Sequence, residues 1–219
     1  MRRRPPLGRS AWLLTLIVLG GFTPCYATII TYGSSFEFTR GTPPAGPTPW
    51  VTTVFNDGGT AGTVTMTLAA TNLTGSEFVG VAMVNLDPSL DPKNLLFSSP
   101  TKVGSFNDPT VLLGANAFKA GGDGYFDIKL DFATSHGAPM RFTFGDSVTY
   151  TITGIPSLTA DSFAFLSANG GGRGAFPVAQ HVQSIGPGGN GSGWVTVPEA
   201  ATISLLALGG LVAVRRKNR

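Results

Sequence analysis

The sequence predicts an all-β protein: a single β-sandwich of jelly-roll or immunoglobulin-like kind, flanked by an N-terminal signal peptide and a C-terminal apolar helix. Three observations carry this prediction. Short runs alternate apolar and polar residues with period two, most clearly at 63–68, 125–132 and 147–152. Those runs are rich in Val, Ile, Thr, Phe and Tyr, which suit a pleated, half-buried surface, and Gly, Pro, Asn and Asp separate them. No window of the body sustains a helical period between capping residues.

In chain order, Arg2, Arg3, Arg4 and Arg9 form a positive region ahead of an apolar core at 11–22. Cys25 and Ala27, separated by Tyr26, then give the small-x-small pattern that a signal peptidase cuts after Ala27. Residues 1–27 are therefore expected to be removed. An apolar core of about a dozen residues falls short of the roughly 20 that cross hydrocarbon.

The domain proper is expected at 28–185. Strands are expected at about 28–38, 50–56, 63–68, 77–86, 125–132, 140–145, 147–152, 160–167 and 177–184. Asn56, Asp57, Gly58 and Gly59, and Asp87 with Pro88, supply turns between them. Residues 41–49 hold too many prolines for an interior strand and read as an exposed loop. Residues 168–174 read as a flexible glycine loop, since the Gly-Lys-Ser/Thr ending of a phosphate cradle is missing. Residues 186–196 read as a Gly/Ser-rich linker that holds the domain away from a membrane.

Composition narrows the chemistry. Without Cys25 the mature chain has no cysteine, which excludes disulfides, thiolate metal sites and a cysteine nucleophile. The formal charge of +3 misleads, because four basic residues lie in the leader and four in the tail. Between them seven basic residues face eleven acids, so the body is mildly acidic and nucleic acid is not an expected partner. His136 and His181 share no motif with a serine or an acid, and no catalytic residue is assigned. The expectation is a protein that is not an enzyme.

One acidic stretch holds the candidate metal ligands. Asp123, flanked by Gly121, Gly122 and Gly124, could gather carboxylate and carbonyl oxygens around Ca²⁺, with Asp127 beside it. The spacing fits neither the EF-hand nor the nonapeptide calcium repeat, which favours a plain turn and no cofactor. Along a strand Asp127, Lys129 and Asp131 share one side and read as a solvated face. Trp50 and Trp194 are the aromatic candidates for carbohydrate contact, with packing roles favoured for both. Asn72 and Asn190 head the two glycosylation sequons.

The tail at 197–219 runs Val197, Pro198, Glu199, Ala200, an apolar segment at 201–214, then Arg215, Arg216, Lys217, Asn218 and Arg219. As a helix the apolar segment spans about 21 Å at about 1.5 Å per residue, a marginal reach against roughly 30 Å of hydrocarbon. Snorkelling arginines extend it, and the positive-inside rule keeps Arg215, Arg216, Lys217 and Arg219 cytoplasmic and the body outside. This order of leader, β-rich body, Val-Pro-Glu, apolar helix and basic cluster resembles the bacterial PEP-CTERM proteins. Ala200 stands where that family's second proline is usual. The resemblance implies export, transient residence in the inner membrane and processing at Pro198 and Glu199 by an exosortase-type membrane enzyme. Delivery to the cell surface or an extracellular polysaccharide matrix would follow. It implies signal peptidase and that enzyme as partners, and leaves exopolysaccharide open as a further one. A secreted carbohydrate- or calcium-binding module is the alternative, with a secreted hydrolase behind it.

Overall fold

The alternation seen in the sequence becomes two sheets whose apolar faces meet. In the computed structural model, residues 26–135 and 140–198 are described. Its strands are β1 (Ile29–Ser34), β2 (Phe36–Glu37), β3 (Val51–Asn56), β4 (Val64–Ala70), β5 (Phe78–Val84), β6 (Leu96–Phe97) and β7 (Thr101–Val103). They continue as β8 (Thr110–Ala120), β9 (Asp123–Asp131), β10 (Phe142–Thr143), β11 (Ser147–Thr153), β12 (Val178–Ile185) and β13 (Gly191–Thr196). Three 3₁₀ turns, Pro92–Asn94, Ala160–Phe163 and Pro187–Gly189, connect them.

The first sheet runs β1-β3-β4-β11-β6, with β7 also on β11; the second runs β2-β13-β12-β5-β9-β8, with β10 also on β5. All pairings are antiparallel. Every second residue of β3 and β4 is buried, including Val51, Phe55, Val64, Met66 and Leu68. They join Val84, Ile128, Leu130, Val178, Val182 and Val195 of the second sheet in one core. The all-β, two-sheet expectation therefore holds.

A buried polar link fixes how the sheets face each other. Ser34 Oγ donates to Gln180 Oε1 at 2.5 Å, and Gln180 Nε2 donates to Thr53 Oγ1 at 3.4 Å. An amide buried in such a core costs stability unless paired, so these bonds tie β12 to β1 and β3 in one arrangement.

Four expectations need correction. The strand expected at 28–38 is split, because the chain leaves the first sheet after Ser34 and joins the second as β2, where Phe36 pairs with Thr196. Residues 160–167 form no strand. Ala160 and Phe163, three apart, are both buried, and Thr159 N donates to Ser162 Oγ at 3.1 Å, which favours a 3₁₀ turn. The linker expected at 186–196 is a turn followed by β13, paired to β12 and β2. Its glycines serve close approach rather than flexibility, since a Cβ on Gly193 would sit 2.6 Å from the Thr42 carbonyl oxygen. The sandwich thus extends to Thr196. Finally, β8 is an 11-residue strand that the sequence reading omitted.

The outer half of the β8–β9 hairpin packs on the second sheet's outward face. Ala120 and Phe126 join Phe38, Met83, Phe176 and Ala179 in a second, smaller apolar cluster. Tyr125 and Ala168 exchange backbone hydrogen bonds at 2.8 and 3.0 Å, which holds the glycine loop at 168–174 beside this hairpin.

Candidate functional site

Four carboxylates are buried among the described residues: Asp57, Glu77, Asp127 and Asp146. Each accepts hydrogen bonds from backbone N–H, the arrangement that satisfies a desolvated acid. Glu77 takes Ala45 N and Thr74 N, both at 2.8 Å, and so pins the proline loop. Asp146 takes Thr143 N at 2.7 Å. These acids clamp loops and strand ends.

Asp127 corrects the solvated-face reading. It is 8% exposed. Its Oδ2 accepts Leu86 N at 2.9 Å and its Oδ1 accepts Asn116 N at 2.7 Å. Between Leu113↔Ile128 and Phe118↔Phe126, four residues of β8 arch out against Asp127 alone, and its carboxylate holds that arch. Lys129 and Asp131 form an ion pair at 3.1 Å. Asp123 opens β9, in register with Ala120. Among the described residues no three His, Cys, Asp or Glu side chains converge as a metal site.

The aromatic candidates separate. Trp50 is 7% exposed and donates its indole N–H to the Gly46 carbonyl at 2.7 Å, a core role. Trp194 is half-buried on the outward face of the second sheet, where it stacks on His181 with centroids 4.8 Å apart and planes 14° apart. Gly121 closes on the same indole: a Cβ there would lie 3.0 Å from its Cδ1, and φ is +57°. One face of the indole is thus covered by imidazole, and its five-membered ring abuts the hairpin.

Burial pushes the His181 imidazole below its ordinary pKa. Its Nδ1 lies 3.1 Å from Gln183 Nε2, so in the neutral ring Nδ1 accepts and the proton is assigned to Nε2. A base with a depressed folded pKa costs stability as pH falls below its unfolded value near 6.5. We expect Trp194 fluorescence, read in a Trp50→Phe background, to change with a midpoint below that value; a midpoint at or above it contradicts the geometry. His136 lies outside the described residues.

An open groove of about 800 Å³ lies beside β8. Leu112, Ala115 and Phe118 line one side, and Pro88, Asp91 and Lys93 the other. A recess of about 220 Å³ continues it toward Phe165 and Leu166. Asp91 caps the first 3₁₀ turn through Lys93 N at 3.0 Å. No sequence feature pointed to this groove, because the loop and β8 meet only in the fold.

At the C-terminal junction Thr196 is buried and donates its hydroxyl to the Val178 carbonyl at 2.5 Å. Val197, half-buried, packs against the core, and Pro198 is half-buried. Ala27 is exposed ahead of β1. Glu199, Ala200, Arg215, Arg216, Lys217 and Arg219 lie outside the described residues. Among the described residues no helix is long and apolar enough to cross a membrane. The chain has no match among family models, curated proteins or solved structures.

Proposed function

We propose that this protein is an exported, non-enzymatic β-sandwich, sorted through its C-terminal segment to the cell surface or an extracellular polysaccharide matrix. The observation that carries this reading is the tail itself: Val197, Pro198, Glu199 and Ala200, an apolar run, and a basic end. The leader at 1–27 supports it as the matching half of an export route. The place of the junction supports it further, since the last strand of the sandwich ends at Thr196, directly ahead of Val197, Pro198 and Glu199. The use of the buried acids as loop clamps supports a binding or structural role over catalysis.

Within sandwiches we place the body with the immunoglobulin-like kind. β4 pairs with β11 and β5 with β12, so successive strands pair with successive partners across the two sheets. The order β3-β4-β11-β6 then corresponds to the A-B-E-D sheet, and β13-β12-β5-β9 to a G-F-C sheet extended by a further strand. A jelly roll nests its partners instead.

Mass spectrometry of the protein recovered from the exported fraction tests the sorting proposal. The expected chain begins at Thr28 and ends near Glu199. Recovery of peptides containing Arg219 overturns processing, and retention of Arg2 overturns cleavage of the leader.

A further inference from the structure

We propose that the free edge of β8 pairs with the β8 of a second copy of this chain about a two-fold axis, extending the second sheet through an antiparallel dimer. Sheet edges differ sharply in what they offer a partner. β2, β6 and β7 are two or three residues long. At the end of β1 the chain crosses between the sheets, where Ser35 N donates to the Thr196 carbonyl at 2.9 Å and Ser34 Oγ to Gln180 Oε1 at 2.5 Å. On β8, Thr110, Val111, Leu112 and Leu113 pair with β9 on one side. Among the described residues no other hydrogen bond reaches these four. The stretch carries neither charge nor proline, the devices that ordinarily blunt an edge.

The core reaches this edge incompletely covered. Val111, Leu113 and Leu90 are only partly buried at the rim of the main core, and Leu112 is 38% exposed. An antiparallel partner identical to β8 meets the geometric demand of a two-fold axis, because the same strand serves both sides. With the axis at Leu112, residue 111 of one copy faces residue 113 of the other, and side chains opposite one another lie on the same side of the sheet. Both copies then cover the rim residues of their partner.

Charge selects the occupant. Asp91 and Lys93 on the groove wall are exposed, and neither forms an ion pair among the described residues. Running antiparallel about the axis, the two walls offer Lys93 of one copy to Asp91 of the other. A foreign polyanion or polycation finds no net charge there to read.

The test is the mass of the purified exported protein by light scattering and sedimentation, expected to be that of a dimer. Leu112→Lys is expected to weaken the dimer by at least about tenfold with an unchanged far-ultraviolet spectrum. Lys93→Asp and Asp91→Lys are each expected to weaken it, and an equimolar mixture of the two is expected to restore association through a heterodimer. That rescue keeps the test decisive should Leu112→Lys fail to fold. A monomer at all concentrations overturns the proposal. So does a dimer indifferent to all three substitutions, or a charge-swapped mixture that stays monomeric.

Discussion

Phe55→Ala is expected to cost about 3–5 kcal/mol, the range for truncating a fully buried aromatic. Phe55 is fully buried on β3, stacked on Phe163 with centroids 4.3 Å apart and planes 8° apart, and edge-on to Tyr32 at 6.4 Å. Phe163 belongs to the 3₁₀ turn Ala160–Phe163, so the stack attaches a turn to the first sheet rather than one strand to another. β3 is hydrogen-bonded to β1 on one side and β4 on the other, which restrains collapse into the void and places the loss at the upper part of the range. Against a total stability of roughly 5–15 kcal/mol, such a loss is visible as a large drop in the denaturant midpoint. Phe163→Ala is expected to overlap with it: the double variant should lose less than the sum, by about 0.5–1.5 kcal/mol, because both remove one ring pair. A Phe55→Ala loss below about 1 kcal/mol, or strict additivity, contradicts the packing described.

Period-two alternation survives wherever a strand has one wet and one dry face. That is why β3, β4 and β11 were legible. β8 was not. After Leu113 its alternation is interrupted by Gly114, Ala115, Asn116 and Ala117, which arch away from β9, and Asn116 adopts a left-handed φ of 49°. The carboxylate that organises the arch, Asp127, answers backbone donors 11 and 41 residues away, and no local spacing encodes that. The outward half of the hairpin hid a further fact, that Phe126 faces a second cluster while Ile128 faces the main core. β13 failed for the opposite reason. A composition rich in glycine signals freedom when neighbours are unknown, yet at Gly193 the requirement is contact with residues near position 42, far off in the chain. The candidate site divides in the same way. The sorting segment is contiguous and could be read directly, whereas the β8 groove is assembled from two distant segments.

Asp57→Ala is expected to cost about 2–4 kcal/mol, because it leaves backbone donors from three segments without an acceptor. Asp57 Oδ1 accepts Thr28 N at 2.8 Å and Gly59 N at 2.9 Å, and Oδ2 accepts Ala160 N at 3.2 Å. One side chain therefore holds the entry to β1, the β3–β4 turn and the start of a 3₁₀ turn. Burial alone would raise this carboxyl, but the N–H groups of Gly59, Thr28 and Ala160 outweigh it and hold the group below its ordinary value. The sign of the pH effect follows. A carboxyl lowered in the folded state adds stability above its unfolded pKa of about 3.9, and that contribution is lost as pH falls through the folded value. Asp57→Asn keeps one acceptor oxygen and cannot ionise, so it is expected to lose less than the alanine variant near neutral pH. The gap between wild type and Asp57→Asn should shrink as denaturation is repeated below about pH 4, since both side chains are then neutral. A gap that stays constant from neutral pH into strong acid would show that the negative charge adds nothing, and the clamp would then rest on shape and hydrogen-bond geometry alone.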